Sequence, residues 1–188
     1  MKVVVAGHIP EPNSVISPFR ISHYGLRTTR LGVMKDWYLH VLGAAVAFES
    51  DTVCLITFDT EHHRLALLHV DEANAPIRDR TGFEHVAFSY RDLGDLMSTY
   101  RRLLDTNIAP DASINHGTMT SLYYSDPDGN RVELLVYNFP SVEELQNWYA
   151  TGAHERHPYG APFDAEELAL MFHAGVPVAK LLKQGSTD

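Results

Sequence analysis

The sequence predicts an α+β fold made of two βαβββ modules whose sheets face each other across a cleft. Two observations predict this fold. The same order of elements occurs twice, with a period of about 60 residues. Each repeat also opens on a strand that carries a histidine at its third position, His23 in Ile21–Thr29 and His85 in Phe83–Tyr90. Two such modules can enclose a concave site between their sheets.

The first module is predicted over residues 21–72. Its opening strand precedes a helix over Leu31–Leu42, where apolar residues recur with helical spacing, and Gly43 is a natural helix stop. Three short strands separated by polar turns follow, over Ala44–Ser50, Thr52–Phe58 and His63–Val70.

The second module is predicted over residues 83–138, after a polar connection over Ala73–Gly82. Its helix spans Leu93–Leu104, with Asp92 as N-cap and Asp95 in the first turn. The strands that complete it are predicted at Ala112–His116, Thr118–Ser125 and Asn130–Tyr137.

The two ends of the chain lie outside these modules. Residues 1–20 carry three prolines and are predicted to form an N-terminal arm. Residues 139–188 are predicted as a C-terminal helical extension, with helices over Val142–Tyr149 and Ala165–Ala174 separated by a Pro/Gly-rich stretch. We expect this extension to cover part of a sheet or an edge, and the last residues, Gln184–Asp188, to fray.

A hairpin in the second module carries a carboxylate where a strand is expected to be buried. The turn Asp126–Asn130 reads Asp-Pro-Asp-Gly-Asn, which strongly favours a chain reversal. With the turn centred on Asp128, Tyr123 and Glu133 are cross-strand neighbours. Glu133 stands in the apolar strand Arg-Val-Glu-Leu-Leu-Val, so its charge needs a partner, and a metal ion is a good one.

Composition excludes several classes of function. The 188 residues suit one domain or two small modules with a shared core, and 45% of them are apolar. The formal net charge of −9 disfavours nucleic acid and anionic membranes as partners, and no apolar run approaches the ~20 residues of a membrane span. Cys54 is the only cysteine, so we expect no intrachain disulfide and a cytoplasmic location.

Eleven histidines invite a search for metal ligands. Two imidazoles and one carboxylate form the donor set that leaves positions open on a non-haem Fe(II), and His23, His85 and Glu133 supply such a set. A single strand histidine is more often a hydrogen-bonded structural residue, and Glu133 alone could pair with Arg131. The symmetric placement of His23 and His85 in the two repeats favours the metal site.

At these motifs the chain resembles the vicinal oxygen chelate superfamily, and within it the single-domain type I extradiol (catechol-cleaving) dioxygenases. The resemblance covers roughly residues 20–140. The motifs that carry it are Ile-Ser-His23 with Trp37-Tyr-Leu-His-Val-Leu-Gly43, Gly82-Phe-Glu-His85-Val-Ala-Phe, Tyr123-Tyr-Ser-Asp-Pro-Asp-Gly-Asn-Arg-Val-Glu133, and a weaker tail match at Phe163-Asp-Ala-Glu-Glu-Leu168. It implies a half-open mixed β-barrel around a metal site.

The resemblance also implies a cofactor, substrates and further site residues. Fe(II), with Mn(II) as the alternative metal, would be held by His23, His85 and Glu133, and the substrates would be a small aromatic diol and O2. The strand Glu61-His-His63-Arg-Leu-Ala-Leu67 is similar to the one that carries the family's catalytic histidine, which places that role on His63.

His116 and Tyr123 correspond to the family's histidine and tyrosine that hydrogen-bond the catechol. Seven positions separate them, which would put them on opposite faces of an unbroken strand, so a loop or bulge is expected near Gly117. His62 is expected to be an exposed neighbour of His63, and His69 a packing or interface residue. The remaining histidines are expected at the surface: His8, His40, His154, His157 and His173.

Two other functions remain open for this fold. A glyoxalase-like lyase or isomerase would use a fourth protein ligand near Leu67–Asp71, where Asp71 is a loose candidate and the strand itself carries no glutamate. A drug-sequestering protein of the bleomycin-resistance kind would need no metal triad. We expect the extradiol dioxygenase, assembled as a homo-oligomer.

Overall fold

The computed structural model describes residues 18, 20–72, 82–156 and 159–184. The first module consists of β1 (Tyr24–Thr28), α1 (Leu31–Leu42), β2 (Ala45–Glu49), β3 (Val53–Thr57) and β4 (Leu65–His69). The second consists of β5 (His85–Ser89), α2 (Leu93–Leu104), β6 (Ala112–Asn115), β7 (Met119–Ser125) and β8 (Arg131–Tyr137). The C-terminal extension contains α3 (Val142–Ala150), α4 (Ala153–Arg156), β9 (Ala161–Pro162), α5 (Ala165–His173) and α6 (Val178–Leu181). The order βαβββ is confirmed in both modules.

Each module forms one mixed sheet with the same topology. The strand orders are β1-β4-β3-β2 and β5-β8-β7-β6-β9, and the first strand of each module runs parallel to its last. The sheets approach each other through their first strands, where the rings of Tyr24 and Phe88 lie 6.1 Å apart. This α+β architecture agrees with the half-open mixed barrel expected from the sequence.

Both module helices have the bounds that the sequence predicts, because local signals fix their ends. α1 stops at Gly43, which takes up a left-handed conformation (φ 58°) that glycine adopts at little cost. α2 begins after Asp92, whose side chain accepts a hydrogen bond from the Asp95 N–H at 3.0 Å.

The strands are shorter than the sequence predicts, and this moves three histidines out of them: His23, His63, and His116, which follows the end of β6 at Asn115. β1 starts at Tyr24, the first residue paired with β4, so His23 lies immediately before the strand. His63 likewise precedes β4, which starts at Leu65. Strand assignment requires a paired neighbour, and the alternation of apolar residues does not reveal where the pairing begins.

One hydrophobic core connects the helices to the inner faces of both sheets. α2 buries residues spaced three and four apart on one face: Leu93, Leu96, Met97, Tyr100 and Leu103. They belong to the same core as buried strand residues that include Leu65, Leu67, Leu122, Val132 and Leu134. Each such side chain contributes about 1.5–3 kcal/mol on burial. The opposite face of β7 and β8 is left free to carry polar groups.

A buried polar contact joins the two modules. The Tyr38 hydroxyl of α1 donates a hydrogen bond to Asp126 Oδ2 at 3.0 Å, and Asp126 is 3% exposed. Asp126 Oδ1 accepts the N–H of Asn130 at 2.7 Å across the β7–β8 turn. Arg30 adds an ion pair with Asp128 in the same turn, at 2.7 Å. The hairpin that carries Tyr123 and Glu133 is therefore anchored to the first module.

Replacing Tyr38 by phenylalanine is expected to lower the free energy of unfolding by about 1–3 kcal/mol, because a buried carboxylate loses a donor. Urea denaturation of the metal-free protein measures this. Tyr124→Phe is the matched control: Tyr124 is 1% exposed, and its hydroxyl has no hydrogen-bond partner within the described part of the chain. If the Tyr38 variant were as stable as the Tyr124 variant, Tyr38 would not anchor the hairpin.

The C-terminal extension covers the edge of the second sheet. β9 pairs with β6 through Ile114 and Pro162, and Arg101 of α2 forms an ion pair with Glu166 of α5 at 2.7 Å. The sequence predicted the two longer helices but missed α4, β9 and α6, which are four residues or fewer. Such short elements carry too few residues for a periodic pattern.

Some expectations fall outside the described residues. These are the N-terminal arm except residues 18 and 20, most of the connection 73–82, residues 185–188 of the expected frayed end, and His8 and His157. In the part of the chain that is described, no helix is long and apolar enough to cross a membrane. The module boundaries at 72, 83 and 138 stay a prediction.

Candidate active site

The β7–β8 hairpin places a buried carboxylate beside a tyrosine. Tyr123 and Glu133 are directly opposed in the ladder, which confirms the register read from the turn. The Tyr123 hydroxyl donates a hydrogen bond to Glu133 Oε1 at 2.9 Å, and Glu133 is 3% exposed. A carboxylate so far removed from water is costly unless further donors or a cation compensate its charge.

His85 supplies the second group at this carboxylate. It is the first residue of β5, which runs parallel to β8, and its Nε2 lies 3.0 Å from Glu133 Oε2. The parallel pairing sets Ala87 opposite Glu133, so the His85 and Glu133 side chains project from the same face of the sheet. An imidazole and a carboxylate therefore converge on one point.

His116 reaches the same cluster through a chain reversal. Gly117, with φ 81°, turns the chain between β6 and β7, and the His116 N–H bonds to the Met119 carbonyl at 2.9 Å. His116 thus follows β6 while Tyr123 lies in β7, and their side chains meet despite their odd separation. His116 Nε2 lies 3.0 Å from the Tyr123 hydroxyl. Because that hydroxyl gives its proton to Glu133, His116 Nε2 is the donor.

Helix α3 packs against this turn. A Cβ added at Gly117 would lie 2.4 Å from Trp148 Cζ2, so only glycine allows the approach. The extension therefore helps to fix the position of His116.

His23 and His63 form a separate pair. Their ring centroids are 4.2 Å apart, and His62 Nδ1 lies 2.7 Å from His63 Nδ1. Arg64 fixes the backbone before His23, since its Nη1 donates to the carbonyls of Ile21 and Ser22, each at 3.0 Å. The first module thus contributes its two predicted site residues at one place.

The predicted ligands His23, His85 and Glu133 are chemically suited to a metal ion, but the structure brings only two of them together. Across the described residues, no three His, Cys, Asp or Glu side chains are grouped so that they could hold a metal ion. His85 and Glu133 are brought together, whereas His23 lies against His63. His23 is exposed, and its Nδ1 has a weak 3.4 Å contact with Ser22 Oγ.

Burial and neighbouring groups shift the acid–base properties of the site. Burial raises the pKa of Tyr123 above its ordinary value, and the hydrogen bond to Glu133 raises it further. Burial lowers the pKa of His116 below that of free imidazole. Burial lowers the pKa of His63 too, and the rings of His23 and His62 add to the effect. Near neutral pH the phenol is protonated, while His63 is neutral and able to accept a proton.

Two charged residues that the sequence did not assign also contact the site. Glu84 Oε2 contacts His85 Nδ1, and Glu84 Oε1 accepts from Arg131 Nη1 at 2.8 Å. The Arg131 guanidinium lies over the Tyr123 ring, 4.2 Å from its centroid. Arg131 had been considered as a partner for Glu133, but it pairs with Glu84. Glu84 directly precedes His85 in the sequence, and this adjacency could have indicated that Glu84 contacts the site.

The other described histidines lie outside the contacts that join His85, His116, Tyr123 and Glu133. His62, His154 and His173 are exposed, as expected. His40 is half-buried and its Nε2 lies 2.8 Å from Thr106 Oγ1, and His69 is exposed rather than packed.

Paired βαβββ modules with histidine and glutamate donors on their sheets are typical of one class of protein. The sequence profile of the Glyoxalase/Bleomycin resistance protein/Dioxygenase superfamily matches residues 20–134, and the chain belongs to this superfamily.

Named relatives share most of the chain. Biphenyl-2,3-diol 1,2-dioxygenase 3 of Rhodococcus globerulus is 40% identical over 164 residues, which is 86% of this chain and 86% of that enzyme. Biphenyl-2,3-diol 1,2-dioxygenase 2 of the same organism is 40% identical over 163 residues, with the same shares of both chains. The crystal structure of a glyoxylase/bleomycin resistance protein/dioxygenase domain from Frankia sp. superposes with a TM-score of 0.55 at 20% identity. It covers 69% of this chain and 99% of the other, and it supports the fold alone.

Proposed function

We propose that this protein is an extradiol ring-cleaving dioxygenase that inserts O2 into a catechol-type aromatic diol. One observation carries the proposal: His116, Tyr123 and Glu133 are joined by hydrogen bonds and His85 Nε2 lies 3.0 Å from Glu133 Oε2, in a chain 40% identical to two enzymes named biphenyl-2,3-diol 1,2-dioxygenase. The series combines a carboxylate and an imidazole, which suit a metal, with a phenol and an imidazole, which suit diol oxygens.

In this proposal His23, His85 and Glu133 hold Fe(II), with Mn(II) as the alternative. The donor chemistry supports the assignment, because the Glu133 carboxylate is 3% exposed and the described groups that contact it, the Tyr123 hydroxyl and His85 Nε2, include no permanently charged cation. Bound iron would supply the redox chemistry that lets O2 react with an aromatic diol.

The protein's own side chains bind the substrate and move its protons. His63 takes a proton from one diol hydroxyl and later returns it to an oxygen of the product. His116 and Tyr123 donate hydrogen bonds to the diol oxygens and stabilise the charge that develops there. The ring would open beside the diol and give a muconic-semialdehyde-type product.

The two alternative functions have less support. A glyoxalase-like site needs a fourth carboxylate ligand from the first module, and β4, which reads Leu-Ala-Leu-Leu-His, contains none. A drug-sequestering protein has no use for a buried carboxylate that accepts a hydrogen bond from a tyrosine and contacts an imidazole. Tight, stoichiometric binding of iron would exclude the drug-sequestering function.

The test is anaerobic reconstitution with Fe(II), followed by addition of 2,3-dihydroxybiphenyl or simple catechols while oxygen uptake is recorded. We expect oxygen consumption and a yellow product with at least one diol. No oxygen uptake across the panel, together with turnover of a hemithioacetal, would establish the lyase instead. Light scattering of the same sample measures the oligomeric state, for which a homo-oligomer remains our prediction.

A further inference from the structure

Glu84 and Arg131 form a charged pair that contacts two members of the site at once. The pair spans β5 and β8: Glu84 immediately precedes β5, and Arg131 opens β8, where it is aligned with His85. Neither residue contributes an atom to the donor set or to the proposed diol contacts. They contact His85 and Tyr123, which do belong to those groups.

Glu84 determines which nitrogen of His85 faces the centre of the site. The Glu84 carboxylate contacts His85 Nδ1, while Nε2 lies 3.0 Å from Glu133 Oε2. A carboxylate accepts hydrogen bonds only, so Nδ1 must carry a proton. Nε2 is then the nitrogen whose lone pair can bind a metal beside Glu133, and a second interaction of this kind also fixes the ring plane.

Arg131 connects Glu84 to the tyrosine. Its Nη1 donates to Glu84 Oε1 at 2.8 Å, and its guanidinium carbon lies 4.2 Å from the centre of the Tyr123 ring. The Glu84 side chain is 60% exposed, so without this ion pair it would be free to rotate away from His85. A guanidinium over a phenol ring also restrains the ring by a cation–π interaction.

We propose that Glu84 and Arg131 are positioning residues, which hold His85 with Nε2 directed at the metal position and Tyr123 directed at the substrate. This inference rests on the proposed function, because it assumes a metal beside His85 and Glu133. A structural role in the fold is a weak alternative, since exposed ion pairs contribute only about 0–1 kcal/mol to stability.

Metal affinity tests the inference separately from catalysis. Glu84→Ala is expected to weaken Fe(II) binding about 10–100-fold, as loss of an outer-sphere partner does. Glu84→Gln should weaken it less, because the amide oxygen can still accept a hydrogen bond from the Nδ1–H. Anaerobic competition with a chelator measures the dissociation constants, and thermal unfolding of the metal-free proteins should show nearly unchanged midpoints.

Glu49→Ala is the matched control. Glu49 is also an exposed glutamate in an ion pair, with Lys35 at 2.6 Å, but it lies at the far edge of the first sheet. We expect this variant to bind Fe(II) as the wild type does.

Substitution of Arg131 is expected to affect both iron binding and binding of the diol. Arg131→Met should weaken Fe(II) binding, as Glu84→Ala does. It should also raise KM for the diol, because the Tyr123 ring loses its cation–π contact with the guanidinium. Arg131→Lys keeps the charge and should recover part of the iron affinity.

The outcomes separate the two proposals. Wild-type protein that binds no iron would overturn the proposed function and this inference together. Wild-type protein that binds iron, with unchanged affinity in Glu84→Ala and Arg131→Met, would overturn the inference alone. A matching loss of affinity in Glu49→Ala would show a nonspecific charge effect and would likewise refute the positioning role.

Discussion

Replacement of Glu133 by glutamine is expected to abolish stoichiometric iron binding and, with it, turnover. Glutamine keeps the size of the side chain and can still accept the Tyr123 hydrogen bond, but it removes the negative charge at a position that is 3% exposed. A metal bound there would lose its only anionic ligand among the three proposed. The loss of affinity should exceed the roughly 10–100-fold that removal of an outer-sphere partner costs.

Iron content after anaerobic reconstitution and oxygen uptake with the diol measure the two losses. Glu143→Gln is the control, since Glu143 is exposed in the first turn of α3. The metal-free Glu133 variant should remain folded by circular dichroism, because a buried charge without a cation does not stabilise the fold. One iron per chain retained in the variant would remove Glu133 from the ligand set.

Replacement of His63 by alanine is expected to leave iron bound and to lower kcat about 10²–10⁴-fold, the usual contribution of a general acid–base residue. His63 lies beside His23 but is not one of the proposed ligands. Steady-state oxygen uptake gives kcat, and metal analysis of the same samples confirms occupancy.

His62→Ala is the matched control for this prediction. His62 is the adjacent imidazole, it is exposed, and its Nδ1 contacts His63 Nδ1 at 2.7 Å. We expect a kcat close to that of the wild type. Normal turnover of the His63 variant, or an equal defect in the His62 variant, would show that the proton transfer belongs to another group.

Local patterns were sufficient where a structural feature depends on residues close together in the chain. The helices α1 and α2 have the bounds that apolar spacing, Gly43 and Asp92 predict. The turn at Asp126–Asn130 fixed the register that sets Tyr123 opposite Glu133. In both cases the deciding interactions span about ten residues or fewer, so a short window of sequence contains them.

The position of His116 was predicted only in part from the sequence. From the sequence, its separation from Tyr123 required a break near Gly117, and the turn found there agrees with that expectation. The 3.0 Å contact between the two side chains could not be read from spacing, however. It depends on the pairing of β6 with β7 and on the packing of Trp148 against Gly117.

The sequence by itself determined the repeated βαβββ order, the two module helices and the opposed pair Tyr123 and Glu133. Only the tertiary structure decided that Arg131 contacts both Glu84 and the Tyr123 ring, that β9 closes the edge of the second sheet, and that His23 lies against His63. The physical reason is that these contacts join residues on different strands and loops. Strand pairing and side-chain packing bring them together, and neither leaves a periodic signal in the sequence.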